Sequence, residues 1–275
     1  MRIGIAGTPE LRNFKKVATK VLQELEDEDL VFEEHTAEAL GRKGVPMKKL
    51  KADVLVSIGG DGTILRNIQA TSIPILGVNA GVLGFLTEVQ PDEIRESMAQ
   101  FLRGDYKIER RLRLKIMVNG KRMKDATNEA VVHTAHVAKM RHFVLSVDHK
   151  PATDMRADGI IVATPTGTTC YAMSVGSSIV DPRVEALVIA PIAPFRLSSR
   201  PLVVPAKSSV SVTIHDPKEC VMVVDGQEEI FLDGTEEIVF SASEKKAKLV
   251  ILKSEFYKNL EEKLMASSPM IGHRH

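Results

Sequence analysis

Several features are scarce in this chain of 275 residues, and each scarcity argues against a class of protein. There are only two cysteines, Cys170 and Cys220, too few for a disulfide framework, which suits the reducing cytoplasm. Lysine plus arginine exceed aspartate plus glutamate by 37 − 36 = 1, whereas nucleic-acid-binding proteins usually show a clear basic excess. No apolar run approaches the roughly 18 residues of a membrane span, and the opening MRIGIAGTPE predicts a strand, not a signal peptide. We therefore expect a cytoplasmic protein without nucleic-acid or membrane partners.

The first hundred residues alternate predicted strands with predicted helices. RIGIA, ADVLVSI and IPILGVN are typical of buried strands, and Phe14, Val17 and Val21 recur at helical spacing. Such alternation indicates a parallel sheet covered by helices. Because 275 residues with 44% apolar composition suffice for two cores, we predict an N-terminal Rossmann-like α/β domain over residues 1–106.

From residue 107 the pattern changes to short strands separated by turns. In RLRLKIMVNG, apolar residues alternate with Arg111, Arg113 and Lys115, which we predict to lie on the solvent face of a strand, and Asn119-Gly120 is a strong hairpin signal. Similar short strands continue to the end of a predicted β-sandwich domain over residues 107–253. The predicted fold class is therefore α/β plus β.

The last amphipathic stretch predicts one more helix. Phe256, Leu260 and Leu264 recur every four residues, as on one face of a helix. We place this helix at about residues 254–266 and expect it to pack back on the first domain.

A turn of sequence GGDGT, residues 59–63, is the most informative stretch of the chain. It follows a buried strand and precedes a helix, at the carboxyl edge of the sheet where ligands of α/β folds bind. Glycines at 59, 60 and 62 permit unusual backbone angles and let a ligand approach the main chain, whose amides attract phosphate. Asp61 would repel that phosphate unless Mg²⁺ bridges them or the carboxylate accepts a proton from an attacking hydroxyl. The alternative is that Asp61 only caps the helix, although a cap does not require glycine on both sides.

Two further motifs are weaker. DGIIVATPTGTTCYAMS sets Gly167 among threonines before a predicted helix, so its hydroxyls and amides either hold a nucleotide or cap that helix. Asn128 and Glu129 begin a predicted strand, where a polar pair either binds a ligand or faces solvent.

Taken as a set, the motifs closely resemble those of the NAD kinase family: GGDGT at 59–63, NAGVLGFL at 79–86, NEAVV at 128–132, DGIIVATPTGTTCY at 158–171, RPLVVP at 200–205 and DGQ at 225–227. The resemblance implies an α/β domain and a β-sandwich with the site between them. It also implies Mg²⁺-dependent transfer of a phosphoryl group from ATP or inorganic polyphosphate to the 2′-hydroxyl of the adenosine ribose of NAD, giving NADP. Two alternatives stay open: a lipid or sugar kinase that shares only the GGDGT turn, and a non-catalytic NAD(P)-binding regulator.

The resemblance also implies roles for individual residues. Asp61 would be the proton acceptor, and Gly59, Gly60, Gly62 and Thr63 would form the phosphate loop. The implied NAD contacts are Asp61, Gly62, Arg66, Asn128, Glu129, Lys139, Arg156, Asp158, Thr166, Thr169, Cys170, Tyr171, Ala172, Met173, Ser174 and Gln227. Metal ligands are not identified, a homodimer or homotetramer is implied, and Cys170 and Thr168 stand where the family typically has alanine and serine.

Overall fold

The computed structural model describes residues 1–81, 84–196, 198–253 and 256–265, and it divides into two compact units. The first unit comprises Met1–Glu109 and the described residues from Lys248 onward, and the second comprises Arg110–Ala247. The predicted combination of an α/β domain with a β-sandwich is confirmed.

The first unit is built on a mostly parallel sheet, and its helices alternate with the strands along the sequence. Its described helices are α1 (Phe14–Glu24), α2 (Glu34–Ala39), α3 (Asp61–Ala70), α4 (Ile94–Leu102) and, near the end of the chain, α6 (Phe256–Met265). Its described strands are β1 (Arg2–Gly7), β2 (Asp29–Glu33), β3 (Gly44–Val45), β4 (Val54–Gly59), β5 (Ile75–Asn79), β6 (Lys107–Arg111) and β19 (Ala247–Ile251).

The strand order of this sheet fixes where a ligand can bind. The order is β3-β2-β1-β4-β5-β19-β6, and β1 pairs in parallel with both β2 and β4. Every residue of β4 is buried, while α1 buries Phe14, Val17 and Val21 at helical spacing, so the core lies along the sheet. The chain runs outward from β1 to one edge and returns to β4 on the other side, which makes the carboxyl ends of β1 and β4 the switch point of the sheet.

The second unit consists of two six-stranded antiparallel sheets. Their orders are β11-β10-β15-β18-β7-β8 and β14-β13-β12-β9-β16-β17. Side chains from both sheets share one core, including Phe143 and Phe240 from the first and Ile160 and Met222 from the second. The described strands are β7 (Leu114–Val118), β8 (Lys121–Arg122), β9 (Glu129–Thr134), β10 (Arg141–Val147), β11 (Lys150–Ala157), β12 (Gly159–Ala163), β13 (Ala186–Ile192), β14 (Leu202–Pro205), β15 (Val210–Ile214), β16 (Cys220–Val224), β17 (Glu228–Leu232) and β18 (Ile238–Ala242). A 3₁₀ helix (Thr166–Thr169) and the short helix α5 (Tyr171–Ser174) follow β12.

One prediction about the start of the second unit is wrong. Arg111 and Arg113 are buried rather than solvent-facing, because the strand breaks between β6 and β7 and the alternation does not continue across the break. Arg113 donates from Nη2 to the carbonyl oxygen of Asp125 at 2.7 Å, which compensates for its burial. The predicted hairpin at Asn119-Gly120 is confirmed, since both residues have positive φ, 46° and 74°, between β7 and β8.

The C-terminal helix begins at Phe256, and residues 254, 255 and 266 of the predicted range lie outside the described residues. Within the part of the chain that the structure describes, no helix is both long and apolar enough to cross a membrane.

Candidate active site

The glycine turn joins β4 to α3 with ordinary backbone angles. Gly60 is extended, with φ −108° and ψ −172°, and α3 begins at once with Asp61. None of Gly59, Gly60 and Gly62 has positive φ, so the expectation of unusual backbone angles there is wrong. A Cβ at Gly59 would lie 2.7 Å from the Cβ of Thr63, whereas a Cβ at Gly60 or Gly62 would meet no atom within 4 Å. Glycine therefore allows close packing at 59 and leaves bare backbone facing open space at 60 and 62.

The carboxylate of Asp61 is held by a separate segment of chain. Its Oδ2 accepts from the Phe85 amide at 2.6 Å, and its Oδ1 accepts from the Leu86 amide at 2.9 Å. The helix N-cap is Gly60, which has no side-chain cap bond, so the alternative in which Asp61 only caps α3 is wrong. Both oxygens are fixed in position, yet each keeps a further lone pair for a proton or a cation.

Gly84 is a part of this arrangement that the sequence did not reveal. A Cβ at Gly84 would lie 2.6 Å from the carboxylate carbon of Asp61, so only glycine lets residues 84–86 close on Asp61. The signal was present in the matched motif NAGVLGFL, but the motif suggested no role for this glycine. Val82 and Leu83 of the motif lie outside the described residues.

A second connection links the glycine turn to the loop after β1. The hydroxyls of Thr63 and Thr8 are hydrogen-bonded at 2.6 Å. The guanidinium of Arg66 donates from Nη2 to Thr8 Oγ1 at 2.9 Å and to the carbonyl oxygen of Gly7 at 3.2 Å. A hydroxyl and a cation therefore stand beside the predicted phosphate loop.

In the second unit, Asn128 and Glu129 are buried, with 5% and 7% of their surfaces exposed. The alternative in which this pair faces solvent is therefore wrong. The amides of Thr127, Asn128 and Glu129 all donate to the carboxylate of Asp225, at 2.8, 2.7 and 3.3 Å. Asp225 belongs to the DGQ motif, in which the family resemblance implies a role for Gln227 alone. Asp225 thus fixes the backbone that carries the Asn-Glu pair.

The side chains of that pair keep unused hydrogen-bonding capacity. Asn128 Nδ2 donates to Cys170 Sγ at 3.2 Å, but Asn128 Oδ1 and Glu129 Oε2 accept no hydrogen bond from any described residue. A buried polar atom without a partner costs about 1–3 kcal/mol, so these two atoms indicate a ligand with its own polar groups.

The threonine-rich segment packs directly against the Asn-Glu pair. The hydroxyl of Thr164 donates to the carbonyl oxygen of Thr127 at 2.6 Å, and that of Thr169 donates to Thr166 at 3.2 Å, so these hydroxyls hold the turn itself. The next helix, α5, presents Tyr171 with 41% of its surface exposed. Within α5, Ala172 is buried, Met173 is half-buried and Ser174 is exposed.

The other predicted contacts of the second unit lie at its surface. Lys139, Arg156 and Gln227 are exposed, and Asp158 is half-buried with its backbone paired to Thr134 and Ile192. Among the predicted residues of this unit, Asn128 and Cys170 are in direct contact. Gly167, which lies next to them in the threonine-rich segment, packs against the backbone of Asn128.

Both units match known family models. Residues 7–106 match the ATP-NAD kinase N-terminal domain, and residues 127–252 match the ATP-NAD kinase C-terminal domain. The chain belongs to the NAD kinase family. It is 42% identical over 275 residues to the NAD kinase of Methanothermobacter thermautotrophicus, with 96% of each chain covered, and 40% identical over 267 residues to that of Thermococcus kodakarensis, with 94% and 96% covered.

Solved structures agree with the family assignment. The NAD kinase from Archaeoglobus fulgidus in complex with ATP is 30% identical and superposes with a TM-score of 0.78 over 98% of this chain and all of that one. Yeast NADH kinase complexed with NADH superposes with a TM-score of 0.87 over all of this chain and 90% of that one, and at 23% identity it bears on the fold alone. The predicted NAD kinase is confirmed, and a match over both units leaves no support for a lipid or sugar kinase that shares only the GGDGT turn.

Within this NAD kinase fold, the environment of Glu129 changes its protonation. Burial, together with the nearby charge of Asp225, raises the pKa of Glu129 from 4.5 to about 8. Burial also raises the pKa of Asp225, against the three amide hydrogen bonds that lower it. At neutral pH the Glu129 carboxyl is therefore mostly neutral, and it can donate as well as accept a hydrogen bond.

This shift predicts a pH-dependent stability. A carboxyl whose pKa is raised on folding stabilises the folded state fully below pH 4.5, and that contribution is lost as pH rises through about 8. At pH 7 this loss lowers the free energy of unfolding by about 3 kcal/mol relative to its value below pH 4.5. Glu129→Gln, which cannot ionise, is expected to raise the thermal midpoint relative to the wild type much more at pH 8 than at pH 5.5. Glu229→Gln, at an exposed position of β17, is the matched control. An equal difference between Glu129→Gln and the wild type at both pH values would contradict the assignment.

A divalent metal fits the phosphate loop only with help from a ligand. Among the described residues, three potential ligand side chains come within reach of one another at Glu33, Glu34 and His35, a group that does not include Asp61. Mg²⁺ commonly binds through one or two carboxylates together with substrate phosphates and water. Asp61 offers one such carboxylate, and phosphate oxygens of a bound donor would supply the remainder.

Proposed function

We propose that this chain transfers the terminal phosphoryl group of ATP to the 2′-hydroxyl of the adenosine ribose of NAD, with Asp61 as the proton acceptor. The observation that carries the proposal is the fixed carboxylate of Asp61, held by the Phe85 and Leu86 amides beside the bare backbone of Gly60 and Gly62. A carboxylate in this state is oriented before the substrate arrives, so little reorganisation is needed at the moment of transfer.

Phosphates of the donor are proposed to bind at the glycine turn. The glycine turn lies at the N-terminus of α3, which is the positive end of the helix dipole and attracts anions. Open space at Gly60 and Gly62 lets phosphate oxygens approach the main chain. Mg²⁺ bound to these oxygens would neutralise the charge that Asp61 would otherwise repel. ATP is the donor we favour, since the related Archaeoglobus fulgidus enzyme was solved in complex with ATP.

The dinucleotide is proposed to bind through the second unit. Asn128 Oδ1 and Glu129 Oε2 are buried and lack protein partners, which suits the amino, amide and hydroxyl groups of NAD. The exposed ring of Tyr171 offers a flat face for stacking. The remaining proposed contacts are Asp158, Thr166, Thr169, Cys170, Ala172, Met173 and Ser174.

Four further residues are proposed at the edge of the dinucleotide site. Lys139 and Arg156 are exposed cations that could pair with its pyrophosphate, and Gln227 lies in the turn that Asp225 begins. Gly62 would lie against the substrate next to Asp61.

A homodimer or homotetramer in the cytoplasm is the assembly we propose, and light scattering of the purified chain measures its mass.

One assay tests the proposed reaction. The purified protein is incubated with NAD, Mg²⁺ and either ATP or inorganic polyphosphate, and NADP is detected with an NADP-specific dehydrogenase. We expect NADP with ATP, and no NADP once EDTA removes the metal. Saturable NAD binding without any NADP from either donor would instead show a non-catalytic binding protein.

A further inference from the structure

The two cysteines of the chain, Cys170 and Cys220, lie in very different surroundings, and neither is in a disulfide. Cys220 is on β16 with 0% of its surface exposed, and burial raises the pKa of its thiol. Structural thiols of this kind are inert toward reagents in solution. Cys170 is half-buried and lies between the 3₁₀ helix and α5. Cys170 is therefore the accessible thiol of the chain.

The sulfur of Cys170 has a polar neighbour that favours its reactive form. Asn128 Nδ2 donates a hydrogen bond to Cys170 Sγ at 3.2 Å. A hydrogen bond to the charged form of a titratable group favours that form, and the thiolate is the nucleophile in the reactions of cysteine. Cys220 lies instead in the apolar core that the two sheets share, where the thiolate is disfavoured.

The same carboxamide joins the thiol to the proposed dinucleotide site. Asn128 is only 5% exposed, and its Oδ1 accepts no hydrogen bond from any described residue, which is also true of Glu129 Oε2. Oδ1 and Nδ2 are bonded to the same carbon, so the acceptor without a partner lies beside the sulfur of Cys170. Tyr171, the proposed stacking residue, is the next residue of the chain. A group attached to Cys170 Sγ would therefore occupy space proposed for NAD.

We propose that Cys170 is a modification site for small disulfides, and that its modification blocks the binding of NAD. The thiol of Cys170 loses its proton to solvent, and the thiolate attacks one sulfur of a disulfide R–S–S–R. A Cys170–S–S–R bond forms as the original S–S bond breaks, and RS⁻ leaves with the electron pair. The sulfur of Cys170 is oxidised and the departing sulfur is reduced. This inference rests on the proposed function, because it assumes that NAD binds at Asn128.

Thiol–disulfide exchange is reversible, so an added thiol releases the modified cysteine. The site would therefore lower NAD binding when disulfides accumulate and restore it when thiols return. Cys170 stands where the family typically has alanine, which has no nucleophile. The proposed response is thus specific to this chain and to relatives that share the cysteine.

The test compares the two cysteines in the intact chain. The wild type, Cys170→Ala and the matched control Cys220→Ala are treated with hydroxyethyl disulfide, a small uncharged probe, with and without NAD. Mass spectrometry of peptides measures the label on each cysteine, calorimetry measures Kd for NAD, and the thermal midpoint reports on the fold. Each protein is compared with its own untreated sample, so differences in basal activity between variants do not enter.

We expect the probe to label Cys170 and not Cys220, and the labelled wild type to bind NAD at least about tenfold more weakly until dithiothreitol removes the label. With NAD at ten times its Kd, roughly one-tenth of the sites are empty, so labelling should slow by about tenfold. The thermal midpoint should fall by less than about 4 °C. Cys220→Ala should respond like the wild type, and NAD binding by Cys170→Ala should not respond.

Four results would overturn the inference: no label on Cys170, a label that leaves Kd for NAD unchanged, an equal loss of affinity in Cys170→Ala, or a larger fall in the thermal midpoint, since affinity would then be lost with the fold. The fate of the proposed function is separate. If the wild type makes no NADP but labelling still weakens NAD binding, the proposed function fails and this inference stands. If labelled protein binds NAD normally and makes NADP, the inference fails and the proposed function stands.

Discussion

Asp61→Asn is expected to reduce turnover by about 10²–10⁴-fold while the chain still binds NAD. Asparagine cannot accept a proton, and its NH₂ group faces an amide, Phe85 or Leu86, that now lacks an acceptor. The loss corresponds to roughly 3–5.5 kcal/mol of transition-state stabilisation. Positioning of two reactants can supply about 7–11 kcal/mol, so residual activity from the intact phosphate loop should be measurable.

Two measurements separate the roles of Asp61. Steady-state kcat is compared with NAD affinity from calorimetry, using the exposed Asp27→Asn as the matched control. If NAD affinity falls as far as turnover, Asp61 mainly anchors substrate or metal, and the assignment as proton acceptor is wrong.

Gly167→Ala is expected to have the second-largest effect, on both stability and NAD binding. An added Cβ would lie 2.8 Å from the Cα of Asn128 and 2.5 Å from its carbonyl carbon. These are backbone atoms of a segment whose amides donate to Asp225, so moving them would break those hydrogen bonds. We expect a destabilisation of about 1–3 kcal/mol, because overpacking is relieved only by backbone shifts. NAD affinity should fall by about tenfold or more, because Asn128 is displaced.

The comparison variant for Gly167→Ala is Gly60→Ala. Its Cβ meets no atom within 4 Å and its φ of −108° suits any residue, so its thermal midpoint should equal that of the wild type. A thermal midpoint and an NAD affinity for Gly167→Ala that match the wild type would show that the segment is not packed as described.

Much of the first unit could be predicted from local sequence. β1, β4 and β5 are short buried runs, and α1 has a clear apolar stripe, so neighbouring residues alone indicate the elements. The short helix α2 was not predicted, because its six residues carry little periodic signal. It is stabilised by the Glu33 side chain, which accepts from two amides at its start.

The errors share a physical cause, which is contact between distant parts of the chain. Burial lowers the pKa of Arg113, whereas the charges of Asp125 and Asp225 raise it, and alternation along the strand cannot show a partner as distant in sequence as Asp225. The role of Asp225 depends on amides 96 to 98 residues away. Similarly, Phe85 and Leu86 reach Asp61 across 24 and 25 residues. These positions belong to the family motifs, but the motifs do not indicate which carboxylate accepts a hydrogen bond from which backbone amide.

The contact between Asp61 and Gly84 has an evolutionary consequence. A side chain at position 84 would collide with the carboxylate of Asp61. Loss of that carboxylate alone would leave the amides of Phe85 and Leu86 without their acceptor. Across homologues the two positions should covary: a chain that gives up its carboxylate here is released from the demand for glycine there. A descendant that has lost the carboxylate at 61 is therefore free to lose the glycine at 84 as well.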